Sequence, residues 1–123
     1  MNHQPSCLPI AFQGAGIVTR EQAWGTMDVS HELLPAGVDL APLFAGLPDN
    51  RCPCPHWGYL LKGRVRVSYV DHEETIEAGE AFYLAPGHLT SFEIDSEWVM
   101  FSPRGEHART AAVVRRNLQA RSG

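Results

Sequence analysis

Cys52-Pro-Cys-Pro-His-Trp-Gly-Tyr-Leu-Leu-Lys-Gly63 sets two thiols and an imidazole immediately before an extended apolar run that ends in glycine. Thiolate and neutral imidazole are the side chains best suited to zinc and related ions. A second piece runs from Gly79 to Pro86-Gly87-His88 and supplies another imidazole after another extended segment. Together the two pieces describe a metal site inside a small β-barrel.

The flanking sequence supports a barrel. Val65, Val67 and Tyr69 alternate with Arg64, Arg66 and Ser68, the period of a strand with one buried and one wet face. Asp71-His-Glu-Glu74 is expected to turn this strand back into Thr75 to Ala78, with further strands over 81–85, 89–95 and 98–102. Upstream, Trp24 to Leu34 reads as one strand closed by Pro35-Ala-Gly37. Val38 to Leu47, broken by Pro42 and Gly46, reads as a connection with one helical turn at 41–44, whose Leu40, Leu43 and Phe44 plug the core. Short strands closely spaced by Gly/Pro turns indicate an all-β sandwich or barrel. Ala108, Ala111, Ala112, Val114 and Leu118 fall near helical spacing, so a C-terminal amphipathic helix is expected. The domain plan is a tail over 1–15, a barrel over 16–103 and a helical tail over 104–123.

At 123 residues the chain fits one domain. Its 10 basic and 14 acidic residues give a formal net charge of −4. Residues 1–103 hold 5 basic and 13 acidic residues and 104–123 hold 5 and 1, so a body of −8 carries a tail of +4. An acidic body argues against nucleic acid as a partner. No apolar run has the length of a membrane span or a signal peptide, so a cytoplasmic protein with no membrane partner is expected. Three cysteines in such a compartment make no disulfide framework, which leaves Cys52 and Cys54 reduced and Cys7 an incidental thiol in the tail.

These residues resemble the two motifs of the cupin superfamily. In the first, His56, six residues and Gly63 reproduce the closing spacing, with His56 where cupins carry glutamate, Cys52 in place of the second histidine and Asn50 in place of the first. In the second, Gly79 and Gly87 fit, Ala85 replaces a proline, and Thr90 takes the usual histidine position with His88 two residues before it. A closer likeness is to a subgroup of small cupins with C-x-x-P-H-x-G-Y-x-L-x-G followed by P-P-G-H, matched by Cys52, Pro55, His56, Gly58, Tyr59, Leu61, Gly63, Pro86, Gly87 and His88. The resemblance covers about residues 24–103. It implies a jelly-roll β-barrel, a homodimer and an internal pocket, and it names no reaction.

Geometry limits the ligand set. In a straight strand the Cα atoms of residues 52 and 56 would lie about 13 Å apart. One zinc with bonds of about 2.0–2.3 Å requires the chain to bend between them, and Pro53 and Pro55 suit such a break. The expected ligands are Cys52, His56 and His88, with Cys54 as a fourth. Thr90 and Tyr59 are candidate pocket walls, and Gly58, in the register of His56 and Leu60, is expected to leave space for a small organic ligand. His3, His31, His72 and His107 are expected to be solvated, and Asp71, Glu73 and Glu74 to form a charged turn.

Three functions stay open, and the sequence does not say whether the chain is an enzyme. The favoured one is a metal-binding cupin, with a divalent ion such as zinc and a small-molecule ligand, acting as sensor, carrier or structural module. The alternative is a zinc-dependent non-redox enzyme (cyclase, isomerase or hydratase) or an iron-dependent dioxygenase on a small organic substrate. The third is a metal-free barrel whose cysteines pack. No catalytic residue is named by the sequence, and no organic cofactor motif is present.

Overall fold

The computed structural model of the chain describes residues 2–122. Among the described residues the strands are β1 (Ile10–Gly14), β2 (Ile17–Trp24), β3 (Met27–Leu34), β4 (His56–Lys62), β5 (Arg64–Ser68), β6 (Glu73–Glu77), β7 (Ala81–Leu84), β8 (Leu89–Phe92) and β9 (Ser96–Pro103), followed by the helix α1 (Arg104–Ser122). They form a six-stranded sheet in the order β1-β2-β3-β9-β4-β7 and a three-stranded sheet in the order β6-β5-β8, with every described pairing antiparallel. The expected all-β architecture with one C-terminal helix is what the chain adopts.

The core follows from alternation. On β5, Val65 and Val67 are fully buried while Arg64 and Arg66 stay outside and pair with Glu77 and Glu93. Leu60 of β4, Leu84 of β7, Phe92 of β8 and Trp98 and Met100 of β9 join them, together with Ile17 of β2, Leu34 of β3 and Ile76 of β6, and each such side chain contributes about 1.5–3 kcal/mol relative to exposure. Trp98 packs between Phe82 and Phe92, at 5.4 Å from each ring.

The N-terminal half departs from the sequence reading. The segment read as one strand over Trp24 to Leu34 is the end of β2 and all of β3, a hairpin that turns at Gly25, whose φ of +61° is costly for a residue with a Cβ. The tail over 1–15, expected to add an edge strand at most, does so as β1 on β2, and it also buries Leu8. β6 starts at Glu73, two residues before the expected strand, because Tyr69 N–H already closes the turn onto the carbonyl of His72 at 2.8 Å.

The helical tail is docked on the body: His107 bonds Asp28 of β3, and Asn117 Nδ2 donates to the carbonyls of Leu43 and Ala45 at 2.7 and 3.0 Å. One further expectation needs correction: Gly58 does face inward, but it leaves no space for a ligand. A Cβ there would lie 2.5 Å from Phe82 Cζ and would collide with the carbonyl oxygen of Val99. The missing side chain instead lets β9 and the Phe82 ring close against β4.

Gly58→Ala is therefore expected to destabilise the fold by about 1–3 kcal/mol through overpacking. Urea denaturation should show a lower midpoint at unchanged slope. A midpoint equal to that of the parent would contradict this packing.

Candidate metal centre

Three donors reach one point from three positions in the chain. His56 is the first residue of β4 and points inward, in register with the buried Leu60. Upstream of it the chain bends away through Pro53 and Pro55, and Cys52 forms an isolated antiparallel bridge with His88. Cys52 N–H donates to the His88 carbonyl at 3.0 Å, and Gly87 N–H donates to the Cys52 carbonyl at 2.8 Å. This bridge sets the thiol beside the second imidazole, so that one donor atom from each of Cys52, His56 and His88 lies within 4.8 Å of the others, all three residues buried. Cys52 Sγ is 3.6 Å from His56 Nε2. Two ligands of one tetrahedral zinc, with bonds of about 2.3 Å to sulfur and 2.0–2.1 Å to nitrogen, stand about 3.5 Å apart, so the spacing fits.

The far sides of both imidazoles are held. His88 Nδ1–H donates to the carbonyl of Ala85 at 2.7 Å, which leaves the Nε2 lone pair free. His56 Nδ1 bonds Ser102 Oγ of β9 at 2.6 Å. Such outer partners orient metal-binding histidines. Burial pushes the His56 imidazole down to about 3, with His88 and His107 adding to the effect, and burial also lowers His88 against the opposing pull of the Ala85 carbonyl. Both rings are neutral at pH 7, the form that binds metals. Burial raises the Cys52 thiol to about 11 and that of Cys54 to about 12. Among the described residues, Cys52, His56 and His88 are the one such group able to hold an ion.

The other expected site residues divide. Cys54 is buried but stands outside the cluster, with its Sγ directed to the carbonyl of Pro55 at 3.5 Å. Thr90 is buried and lines the cavity beside the donors. Tyr59 cannot serve as a pocket wall: one position out of register with His56, it faces outward and is 45 % exposed. Asn50 is exposed, and its side chain accepts from Gly46 N–H at 3.1 Å. His31 and His107 are not solvated as expected. His31 is buried against Glu97 at 2.7 Å. His107 lies edge-on to His56, with ring centres 6.2 Å apart, and its Nδ1–H donates to Asp28 Oδ2 at 2.9 Å.

The donors open onto a cavity of about 200 Å³. Its apolar walls include Phe12, Ile17, Leu34, Trp98 and Met100, and α1 with Leu40, Leu43 and Phe44 lies across it. The sequence reading missed its polar wall, made by Thr19 and Glu21 of β2, Glu32 of β3 and His107 of α1. Glu32 is fully engaged, accepting from Thr19 Oγ1 at 2.7 Å and from Trp98 Nε1 at 2.8 Å. The signal was present: residues 17, 19 and 21 share one face of an extended strand.

The AraC-like ligand-binding domain family matches residues 38–121, more than half of the sequence. The chain belongs to that family. Solved structures similar to this AraC-like domain include a protein of unknown function from Rhizobium leguminosarum bv. viciae 3841, at 14 % identity and a TM-score of 0.60, over 83 % of this chain and 94 % of that one. An RmlC-like cupin from Shewanella frigidimarina gives 14 % identity and a TM-score of 0.58 over 82 % and 88 %. A cupin-2 domain protein from the same organism gives 12 % and 0.50 over 69 % and 78 %. At these identities the likeness establishes the cupin jelly-roll fold alone. No curated protein sequence matches the chain.

The lowered imidazoles predict a pH dependence for the metal-free domain. Unfolded, His56 takes a proton near 6.5; folded, it takes none until about 3. The unfolded state thus binds more protons across that interval, and stability is lost as pH falls from about 6.5 toward 3, with His88 contributing the same sign. The melting temperature of protein stripped with EDTA should be lower at pH 5 than at pH 7.5, and His56→Gln should flatten that slope. Equal slopes in parent and variant would contradict the assignment.

Proposed function

We propose that this cupin binds a divalent ion, zinc, through Cys52, His56 and His88, and takes a small organic ligand in the adjoining cavity. The observation that carries this reading is the convergence of three buried donors on the wall of an apolar cavity. Membership of a ligand-binding domain family supports the second half of it. One thiolate and two imidazoles with no carboxylate favour zinc over the iron of two-histidine, one-carboxylate sites. Bound there, zinc supplies Lewis acidity or an activated water. Ser102 and the Ala85 carbonyl orient its imidazole ligands, Thr90 offers a hydroxyl to the ligand, and α1 excludes bulk water.

A second reading, a zinc-dependent non-redox enzyme, is favoured by one specific feature. Cys54 Sγ stands outside the cluster, so three protein donors remain, as in catalytic zinc sites that keep a position open. The reactions in question are cyclisation, isomerisation or hydration of a small organic molecule.

The test is elemental analysis of protein purified without a histidine tag, together with mass spectrometry of released small molecules. The parent should carry about one zinc per chain, Cys52→Ser and His56→Ala should each lose most of it, and Cys54→Ser should lose less. Full zinc retention in the first two variants would reject the site. Oxygen uptake by iron-loaded protein during turnover would replace the zinc reading with the dioxygenase one.

We also propose a homodimer in the cytoplasm, where the thiols stay reduced. Among the described residues no helix is long and apolar enough to cross a membrane. The outer face of β7, β4 and β9 exposes Tyr83, Trp57, Tyr59 and Phe101, with Trp57 stacked on Tyr83 at 5.2 Å. A contiguous aromatic face of this kind suits an isologous contact with a second copy. Light scattering at tens of micromolar should give twice the chain mass, and Trp57→Glu should shift it to one. A parent that scatters as a monomer would end this proposal.

A further inference from the structure

Beside the donor cluster the cavity carries a further acidic group, Glu21, which faces His107, whose ring stands 6.2 Å from that of His56. β2 and β3 turn Thr19, Glu21 and Glu32 toward the interior, and α1 adds His107 above them. The neighbouring acids are already engaged. Glu32 accepts two hydrogen bonds, and Asp28 takes His107 at 2.9 Å and Arg104 at 3.7 Å. Glu21 differs: among the described residues its carboxylate accepts no hydrogen bond and meets only His107 Nε2, at an ion-pair distance of 3.6 Å, and its side chain is 31 % exposed.

A part-buried carboxylate on the wall of a largely apolar cavity, with its acceptor positions free, attracts a cationic donor. Burial raises the Glu21 carboxyl above its ordinary range, against the opposing pull of His107 and the smaller one of Arg115. Directly across the ladder, Ser30 pairs with Glu21 and carries a fully buried hydroxyl with no partner among the described residues. Arg115 of α1 also lines the cavity; it is exposed and its charge pulls on Glu21 less than that of His107. The interior therefore offers hydrogen-bond acceptance and negative charge beside His107, with the apolar Phe12, Ile17, Leu34 and Met100 lining the same cavity.

We propose that Glu21 is the recognition residue for a small organic cation, an amine with a compact apolar body, whose ammonium group donates to the Glu21 carboxylate while the body fills the apolar cavity. The proposal rests on the cavity being a ligand site, and it names the class of ligand. Charge-assisted bonds of this kind are about twice as strong as neutral ones, and a low local dielectric strengthens them further. Neutral molecules of the same shape would leave Glu21 unpaired.

The experiment is isothermal titration of the full chain with 2-phenylethylamine, 2-phenylethanol and 3-phenylpropionate, in zinc-loaded and EDTA-treated protein. The amine should bind at least about tenfold more tightly than the alcohol, corresponding to about 1.4 kcal/mol. The anion should bind more weakly than either. Because the contact is with Glu21 and not with the ion, the preference should persist without metal. A failure of the zinc site would show separately as absent metal, with the amine preference intact. Glu21→Gln should abolish the difference between amine and alcohol while leaving zinc content unchanged. Tighter binding of the anion, an unchanged amine preference in Glu21→Gln, or binding of none of the three at millimolar concentration would overturn the proposal. If Glu21→Gln does not fold, the amine-to-alcohol ratio in the parent protein decides it.

Discussion

β4 is hydrogen-bonded along both edges, to β7 on one side and β9 on the other, and the rest of the molecule is arranged around that constraint. A strand paired on both sides cannot rotate, so each of its residues is committed to one face. His56 and Leu60 go inward, one to the donor cluster and one to the core; Trp57 and Tyr59 go outward. Gly58, between them, lets β9 and Phe82 approach closely enough for Ser102 to reach His56. The position of the imidazole is thus a consequence of sheet register, not of a local loop.

The thiol is delivered differently. Cys52 lies outside β4, and a pair of backbone hydrogen bonds to residues 87 and 88 places it. Those bonds use main-chain groups only, which leaves Sγ and the His88 ring free to turn toward His56. Two prolines fit here because neither residue 53 nor 55 is required as a donor in the ladder. The centre is therefore assembled by one two-sided strand and one short bridge, both anchored in the barrel wall.

Closure of the cavity belongs to the C-terminal helix. Arg104 begins α1 directly after β9, where its N–H donates to the Thr26 carbonyl and its guanidinium meets Gly25 and Asp28. Asn117, more than three turns along, ties the helix to the carbonyls of residues 43 and 45. Held at both ends, α1 brings His107, Thr110, Val114 and Leu118 over the interior. The cationic helix and the acidic body meet through these contacts within one chain.

The sequence by itself determined the strands whose interior is dry. Val65 and Val67 against Arg64 and Arg66 show the period of two because apolar residues point in and charged ones out. The same logic made the donor residues legible, since thiol and imidazole types cluster in few places in any chain. β2 was hidden for the opposite reason: of its inward residues only Ile17 joins the core, while Thr19 and Glu21 line the cavity. Polar residues inside cancel the alternation on which a strand is recognised. Only the tertiary structure decided that Gly58 is filled by Phe82, that Cys54 turns away from the cluster, and that α1 carries His107 to the cavity. These depend on how separate elements approach one another, and no local period along the chain encodes that.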